Sequence, residues 1–199
     1  MNPNDVHREW AARSGEFSPT YYAHRGPDEA SERIGDAIDS LAGSEPAILE
    51  LGCSSGRHLA LLADRGYEDL SGIELNPDAL GVMKEHYPDL AAVGTFHLDA
   101  IESALGKFEK DRFDVIYSVE TLQHVHPENE WVFDEIARTT NDFLITVENE
   151  SDDPGSVNYV NDEFPLFYRD WQRVFRDRGF THVRSTELKR DTFRLFRLD

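Results

Sequence analysis

Ala47-Ile48-Leu49-Glu50-Leu51-Gly52-Cys53-Ser54-Ser55-Gly56-Arg57-His58-Leu59 decides how this chain is read. The first five residues are an apolar run with one acid inside it, bounded by small residues, which suits a strand buried in a parallel sheet. Gly52 to Gly56 then form a small-residue turn, and a helix begins at about Gly56. Gly52 and Gly56 allow the backbone to bend sharply and to approach a ligand closely. The amides at the helix start face whatever sits above the strand end. The alternative is an ordinary strand-to-helix turn.

Outward from this stretch, apolar runs and helical periodicities alternate. Before it, 27–42 is read as a helix ended by Gly43. After it come a crossover helix over 56–65, a strand over 70–75, and a helix from Asn76-Pro77 to about 87, proline being at home in a first turn. A strand over 91–98, a short helix over 101–108, a strand over 113–119, a helix over 128–140 and a strand over 142–147 come next. The stretch 151–163, with Asp152-Asp153-Pro154-Gly155, reads as a loop, and 164–178 as a helix. Two strands over 180–188 and 192–198, joined by Lys189-Arg190-Asp191, read as an antiparallel hairpin. The pattern predicts an α/β, doubly wound, mostly parallel seven-stranded sheet with an antiparallel C-terminal hairpin strand and helices on both faces. It divides one domain into an N-terminal segment (1–43), a core (44–150) and a C-terminal part (151–199). Tyr21, Tyr22 and His24 in the first segment form either a lid over the site or a patch packed on the surface.

The 199 residues suit one domain with a sizeable core. No apolar run reaches the roughly 20 residues of a membrane helix, and the polar opening MNPNDVHREW reads as no signal peptide, so a cytoplasmic location and no membrane partner are expected. The single cysteine, Cys53, excludes an internal disulfide and a cysteine-rich zinc site. With no basic neighbour evident it reads as a packing residue rather than a nucleophile. The net charge of −19 repels phosphate backbones, so nucleic acid is not the expected partner. Such a composition resembles that of proteins from salt-loving microbes; self-repulsion of this size is better tolerated when salt screens it.

Glu50-x-Gly52-x-Ser54-x-Gly56 resembles the first motif of the class I S-adenosylmethionine-dependent methyltransferases, acidic-x-Gly-x-Gly-x-Gly, with Ser54 in place of the middle glycine. Serine is small but resists a positive φ. A dinucleotide fingerprint needs G-x-G-x-x-G, which this turn does not supply. Gly72-Ile73-Glu74-Leu75-Asn76-Pro77 is similar to the family's second signature, and Leu98-Asp99-Ala100 falls at the next strand end. The resemblance implies S-adenosylmethionine as cofactor: Gly52, Cys53, Ser54 and Gly56 lining it, and Glu50 near the methionine amino group. Glu74 with Leu75 would meet the ribose hydroxyls, Asp99 the adenine amino group, and the Ala100 amide a ring nitrogen. Arg57 and His58 are candidates for the carboxylate. Left to spacing alone, Glu74 is equally a solvated strand-end charge and Asp99 a helix cap.

Ser118-Val119-Glu120-Thr121-Leu122-Gln123-His124-Val125-His126-Pro127 comes after the fourth strand, where family members hold cofactor and substrate. His124 is the leading candidate base, with Glu120 and His126 behind it; the alternative for His124 is a histidine that holds the loop by hydrogen bonds. Relatives that bind a magnesium-type ion carry Glu-x-x-Glu-His here, but Gln123 replaces the second acid and weakens a hard-cation site, so no metal is expected. The implied function is methyl transfer to a small-molecule acceptor by a monomer or homodimer. A non-catalytic cofactor-binding regulator and a nicotinamide oxidoreductase stand as alternatives.

Overall fold

The computed structural model describes residues 1–151, 153–161 and 164–199. Three helices come first: α1 (Pro3–Ala11), α2 (Pro19–Arg25) and α3 (Glu29–Leu41). Each starts on a side-chain cap, Asn2, Ser18 and Asp28, that accepts from amides which would otherwise lack partners. The alternating core comes next: β1 (Ile48–Leu51), α4 (Arg57–Asp64), β2 (Leu70–Glu74), α5 (Ala79–His86), α6 (Pro88–Val93), β3 (Thr95–Leu98), α7 (Ile101–Leu105), β4 (Phe113–Val119), α8 (Val132–Thr139) and β5 (Thr140–Asn149). Two single 3₁₀ turns, Leu122–His124 and Pro127–Asn129, lie between β4 and α8. The chain closes with β6 (Val157–Val160), β7 (Phe164–Phe167), α9 (Trp171–Arg176), β8 (Phe180–Glu187) and β9 (Asp191–Leu198).

Seven strands form one sheet in the order β3-β2-β1-β4-β5-β9-β8. The first five run parallel, and β9 lies antiparallel between β5 and β8. The strand order reverses at β1, between β2 and β4, the place where α/β sheets open a crevice beyond their carboxyl ends. Alternate residues supply two cores. Ile48, Val115, Tyr117 and Ile145 pack under α3 and α4 through Ile34, Ile38, Leu59 and Leu62. Leu49, Leu51, Ile116 and Leu144 pack on the other face against Val132, Phe133 and Ile136 of α8 and Trp171 and Phe175 of α9. The strands nearest the centre are buried on both faces, hence their unbroken apolar runs.

The predicted doubly wound sheet and its terminal hairpin are what the structure contains. Several elements differ: the helix expected from Asn76-Pro77 starts only at Ala79, and the one expected over 101–108 ends at Leu105. The third strand is only Thr95–Leu98; 88–93 is helix α6, begun by Pro88 and anchored by buried Leu90. The helix expected over 128–140 starts at Val132. The helix expected over 164–178 starts only at Trp171, where Asp170 accepts from the Arg173 amide. Phe164–Phe167 instead pairs antiparallel with Val157–Val160, inside the stretch expected to be loop. Here burial of Phe-Pro-Leu-Phe on both sides overrides a helical period. Of the loop expected over 151–163, Asp152, Asp162 and Glu163 lie outside the described residues.

Candidate active site

The turn after β1 has three left-handed residues: Gly52 at φ 71°, Ser54 at φ 49° and Gly56 at φ 82°. A Cβ on Gly52 would strike the Thr121 side chain, and one on Gly56 would come within 2.7 Å of Leu90 Cδ2. The serine expected to resist this conformation adopts it, at a cost of order 1–3 kcal/mol. Hydrogen bonds hold it there: the Ser54 amide donates to Glu74 Oε2 (2.7 Å), and the Gly52 and Cys53 amides both donate to the Ile73 carbonyl (2.9 and 3.0 Å). Glu74 Oε1 takes the Leu75 and Asn76 amides at 2.8 and 2.7 Å. One carboxylate thus ties the turns after β1 and β2 together, with three of its roughly four lone-pair directions in use. Burial raises its pKa against these three bonds.

These turns floor a cleft of about 1060 Å³ of empty space, its open mouth included. Glu50, Gly52, Cys53, Ser54, Glu74, Leu75, Asp99 and Ala100 all line it. Glu50 is buried and accepts from the Tyr117 hydroxyl at 3.0 Å; burial lifts its carboxyl well above the ordinary range despite that bond. Cys53 is buried and its thiol is pushed up by the same cause, which keeps it protonated and suits packing. Asp99 differs, because the Lys107 ammonium 2.6 Å away holds its carboxyl low. Its other oxygen accepts from the Ala100 amide at 2.8 Å, the amide that the resemblance assigns to a ring nitrogen. Gly56 does not line the cleft; its missing side chain serves helix packing against Leu90.

Arg57 and His58 also face the cleft but are tied elsewhere. Arg57 pairs with Asp28 and donates to the Gly26 carbonyl at 3.3 Å, with Tyr22 over its guanidinium at 5.1 Å. His58 Nδ1 lies 2.7 Å from Ser31 Oγ, and burial beside Arg57 pushes its pKa down to about 3.

The opposite wall comes from the N-terminal helices through Val6, His7, Trp10, Arg13, Phe17, Pro19 and Tyr22. Of the three N-terminal residues singled out in the sequence, only Tyr22 lines the cleft. Tyr21 packs on Phe17 and Tyr22, and His24 on His86. Two ties hold α1 across the cleft: His7 Nε2 donates to Glu102 Oε1 (3.0 Å), and Asn76 Nδ2 donates to the Arg13 and Trp10 carbonyls (3.0 and 3.4 Å).

The loop after β4 brings Glu120, Thr121, His124 and Val125 into the cleft. Glu120 is left-handed at φ 48°. His124 Nδ1 lies 2.9 Å from the Pro165 carbonyl. A carbonyl only accepts, so this nitrogen carries the proton and Nε2 the lone pair. Burial pushes His124 down to about 4, and its ring packs on Trp10 at 4.8 Å. Ser118 and His126 do not join the site. Ser118 is wholly buried and donates to Glu148 Oε1 at 2.7 Å; His126 accepts from the Glu128 amide and packs on Phe167. Strand and turn explain both: Ser118 points into the sheet beside β5, and His126 starts the second 3₁₀ turn. The Gln123 amide oxygen accepts from the Asn149 amide at 2.8 Å. Among the described residues no three His, Cys, Asp or Glu side chains are grouped as for a metal ion.

Sequence reading missed Trp10, the His7–Glu102 pair, Asn76 and Glu148. Asn76 stands inside the second motif, but only its cap to the lid carbonyls reveals its use. Nothing in local periodicity marks Glu148, which reads as the polar end of a strand.

A sheet that places one reversed strand between its last two parallel neighbours, with carboxylates at the ends of β1 and β2 and just past β3 turned into one cleft, has the Rossmann-like architecture of the methyltransferases that the sequence resembles. Residues 48–142 match the family described as methyltransferase domain, which together with the fold supports a class I S-adenosylmethionine-dependent methyltransferase. No curated protein matches it in sequence. Solved structures share the fold at low identity. One is the putative methyltransferase bound to the Trm112 methyltransferase activator from Haloferax volcanii (14% identity, 99% of this chain and 97% of that one, TM-score 0.72). Another is the 1,6-didemethyltoxoflavin-N1-methyltransferase of Burkholderia thailandensis, with 1,6-didemethyltoxoflavin and S-adenosylhomocysteine bound (20%, 86% and 80%, 0.68). A third is the magnesium protoporphyrin IX methyltransferase of Synechocystis PCC 6803 with its cofactor (14%, 98% and 90%, 0.66). The residues present fit S-adenosylmethionine, the cofactor that the resemblance implies: a turn with no room for a Cβ at Gly52, and three acids facing one cleft.

Proposed function

We propose that this methyltransferase acts on a protic oxygen or nitrogen of a small molecule held under α1 and α2, with His124 as the base. The observation that carries this is the His124 tautomer: a proton locked on Nδ1 by the Pro165 carbonyl leaves Nε2 as a proton acceptor on the cleft wall. The cofactor, when bound, supplies an electrophilic methyl group on a sulfonium. The chain contributes position and a dry surround, which are worth most in an in-line displacement. His124 takes the proton that the acceptor loses. Burial keeps the imidazole neutral across the physiological range, so it is always ready to accept, at the expense of base strength. Trp10, Phe17 and Tyr22 support a small, partly apolar acceptor. Glu74 holds the ribose with its remaining lone pair, Asp99 the adenine amino group, and Glu50, near Arg57, the amino end of the methionine.

That weakened His124 also favours a second reading, a cofactor-binding protein without turnover that regulates a partner. Calorimetric titration with S-adenosylhomocysteine and a methyl-transfer screen against small-molecule extracts decide between them. Glu74→Ala is expected to weaken S-adenosylhomocysteine binding by roughly 1–3 kcal/mol, the loss of hydrogen bonds to a charged group; unchanged affinity removes Glu74 from the site. His124→Ala is expected to cut turnover of the identified acceptor about 10²–10⁴-fold, the usual worth of a general base, with cofactor affinity unchanged. A screen that finds no acceptor while S-adenosylhomocysteine binds supports the regulatory reading.

A further inference from the structure

Glu148, next to last in β5, is wholly buried, and only hydrogen-bond donors surround its carboxylate. Oε1 accepts from Ser118 Oγ (2.7 Å), the Leu122 amide (3.1 Å) and the Thr121 amide (3.3 Å); Oε2 accepts from the Gln123 amide (3.2 Å). The three amides are successive and belong to the 3₁₀ turn whose last residue is His124. The next residue of β5 completes the grip, since the Asn149 amide donates to Gln123 Oε1 (2.8 Å). At the other end the Glu120 amide donates to the Val147 carbonyl (2.8 Å), just before Glu120 turns left-handed.

We propose that Glu148 is a positioning residue of this enzyme: its buried carboxylate gathers Ser118 and the amides of Thr121 to Gln123, and so sets the turn that presents His124 and Glu120 to the cleft. Amides opening a 3₁₀ turn have no partner inside it. A buried carboxylate is itself costly unless its lone pairs are filled. Each requirement answers the other, which is why a strand end carries an acid where an apolar residue would pack. The four donors favour the ionised form and so offset part of the cost of burying it. Burial holds the group at about 7, and the Arg169 guanidinium, which donates to the Val125 carbonyl at 2.7 Å from the β7–α9 connection, lies within reach of its charge.

This rests on His124 as the base, but its test does not need methyl transfer. Glu148→Gln keeps the volume and one acceptor oxygen but sets an amide NH₂ against the Gln123 N–H. Hydrogen exchange of the amides of Thr121, Leu122 and Gln123, monitored by NMR, is expected to speed up at least tenfold. β1 and β4 amides stay protected, and calorimetric S-adenosylhomocysteine affinity stays within about twofold. Long-range ¹H–¹⁵N spectra are expected to show the Nδ1-protonated His124 tautomer in wild type and a mixture in the variant. If Glu148→Gln does not fold, Ser118→Ala, which removes one donor, is expected to give a smaller change of the same pattern. Unchanged protection of the three amides overturns the proposal, as does equal acceleration across the sheet, the mark of a purely structural acid. A normal result here with an active His124→Ala enzyme would instead dismiss His124 as base.

Discussion

Two buried histidines show how one residue type serves two ends. His124 has a carbonyl partner that selects its tautomer, while His58 sits on Ser31 next to the Arg57 guanidinium, where a second positive charge is unwelcome. His58 is pushed down to about 3 from the ordinary 6.5. A histidine lowered by folding lends stability above its unfolded pKa and loses it as pH falls, because only the unfolded chain takes up the proton. This side chain then withdraws stability progressively as pH falls below 6.5. Glu50 and Glu148, raised by burial, work in the opposite sense: their contribution is present at low pH and lost as pH rises through their folded values. His58→Gln, which cannot protonate, is expected to flatten the fall of melting temperature between pH 6.5 and 4, measured by thermal denaturation across that range. An unchanged slope would assign the acid loss to other groups.

At the scale of elements, α1 is only lightly tied to the core. Only Val6 of its residues is buried, yet Trp10 and His7 form a cleft wall. Its C-terminal end is held by Asn76, buried after β2, whose amide nitrogen serves the Trp10 and Arg13 carbonyls and whose oxygen accepts from Asp78. Carbonyls at a helix end have no partner within the helix, so a side chain from the cofactor turn locks the wall to the floor. Asn76→Ala removes two donor contacts, worth about 1 kcal/mol together. It is expected to speed dissociation of S-adenosylhomocysteine by roughly fivefold, read by stopped-flow tryptophan fluorescence. Loss of binding without a change in dissociation rate would instead place the effect in the turn after β2. The same element explains why 164–178 is not one helix: β7 exists because Phe164 packs on Trp10 at 4.6 Å and Pro165 holds His124.

Across the whole molecule, the charge of −19 is set against 20 basic residues, many of them shared between acids. Arg65 alone meets Glu32, Asp36 and Asp39 at 2.5–3.1 Å. Such exposed pairs are worth little individually, and the excess of acids repels. Screening shortens from about 10 Å at 0.1 M salt to about 3 Å at 1 M, so potassium chloride over that range is expected to raise the melting temperature in scanning calorimetry. A falling curve would mean that the arginine networks outweigh the net repulsion. No helix among the described residues is long and apolar enough to cross a membrane.

Local pattern determined the alternating elements, the hairpin, and the row of acids at strand ends, because a parallel sheet buries its strands and writes them as short apolar runs between turns. It also marked His124, through its place after the fourth strand. Only tertiary structure decided which residues share the cleft. Ser118 and His126 stand next to the cleft-lining Val119 and Val125 yet face away, since one position along a strand reverses a side chain's face and a 3₁₀ turn re-aims the residues beyond it. Trp10, Asn76 and Glu148 came from distant segments, and a hydrogen bond between residues 26 or 63 positions apart leaves no trace in the period of either segment.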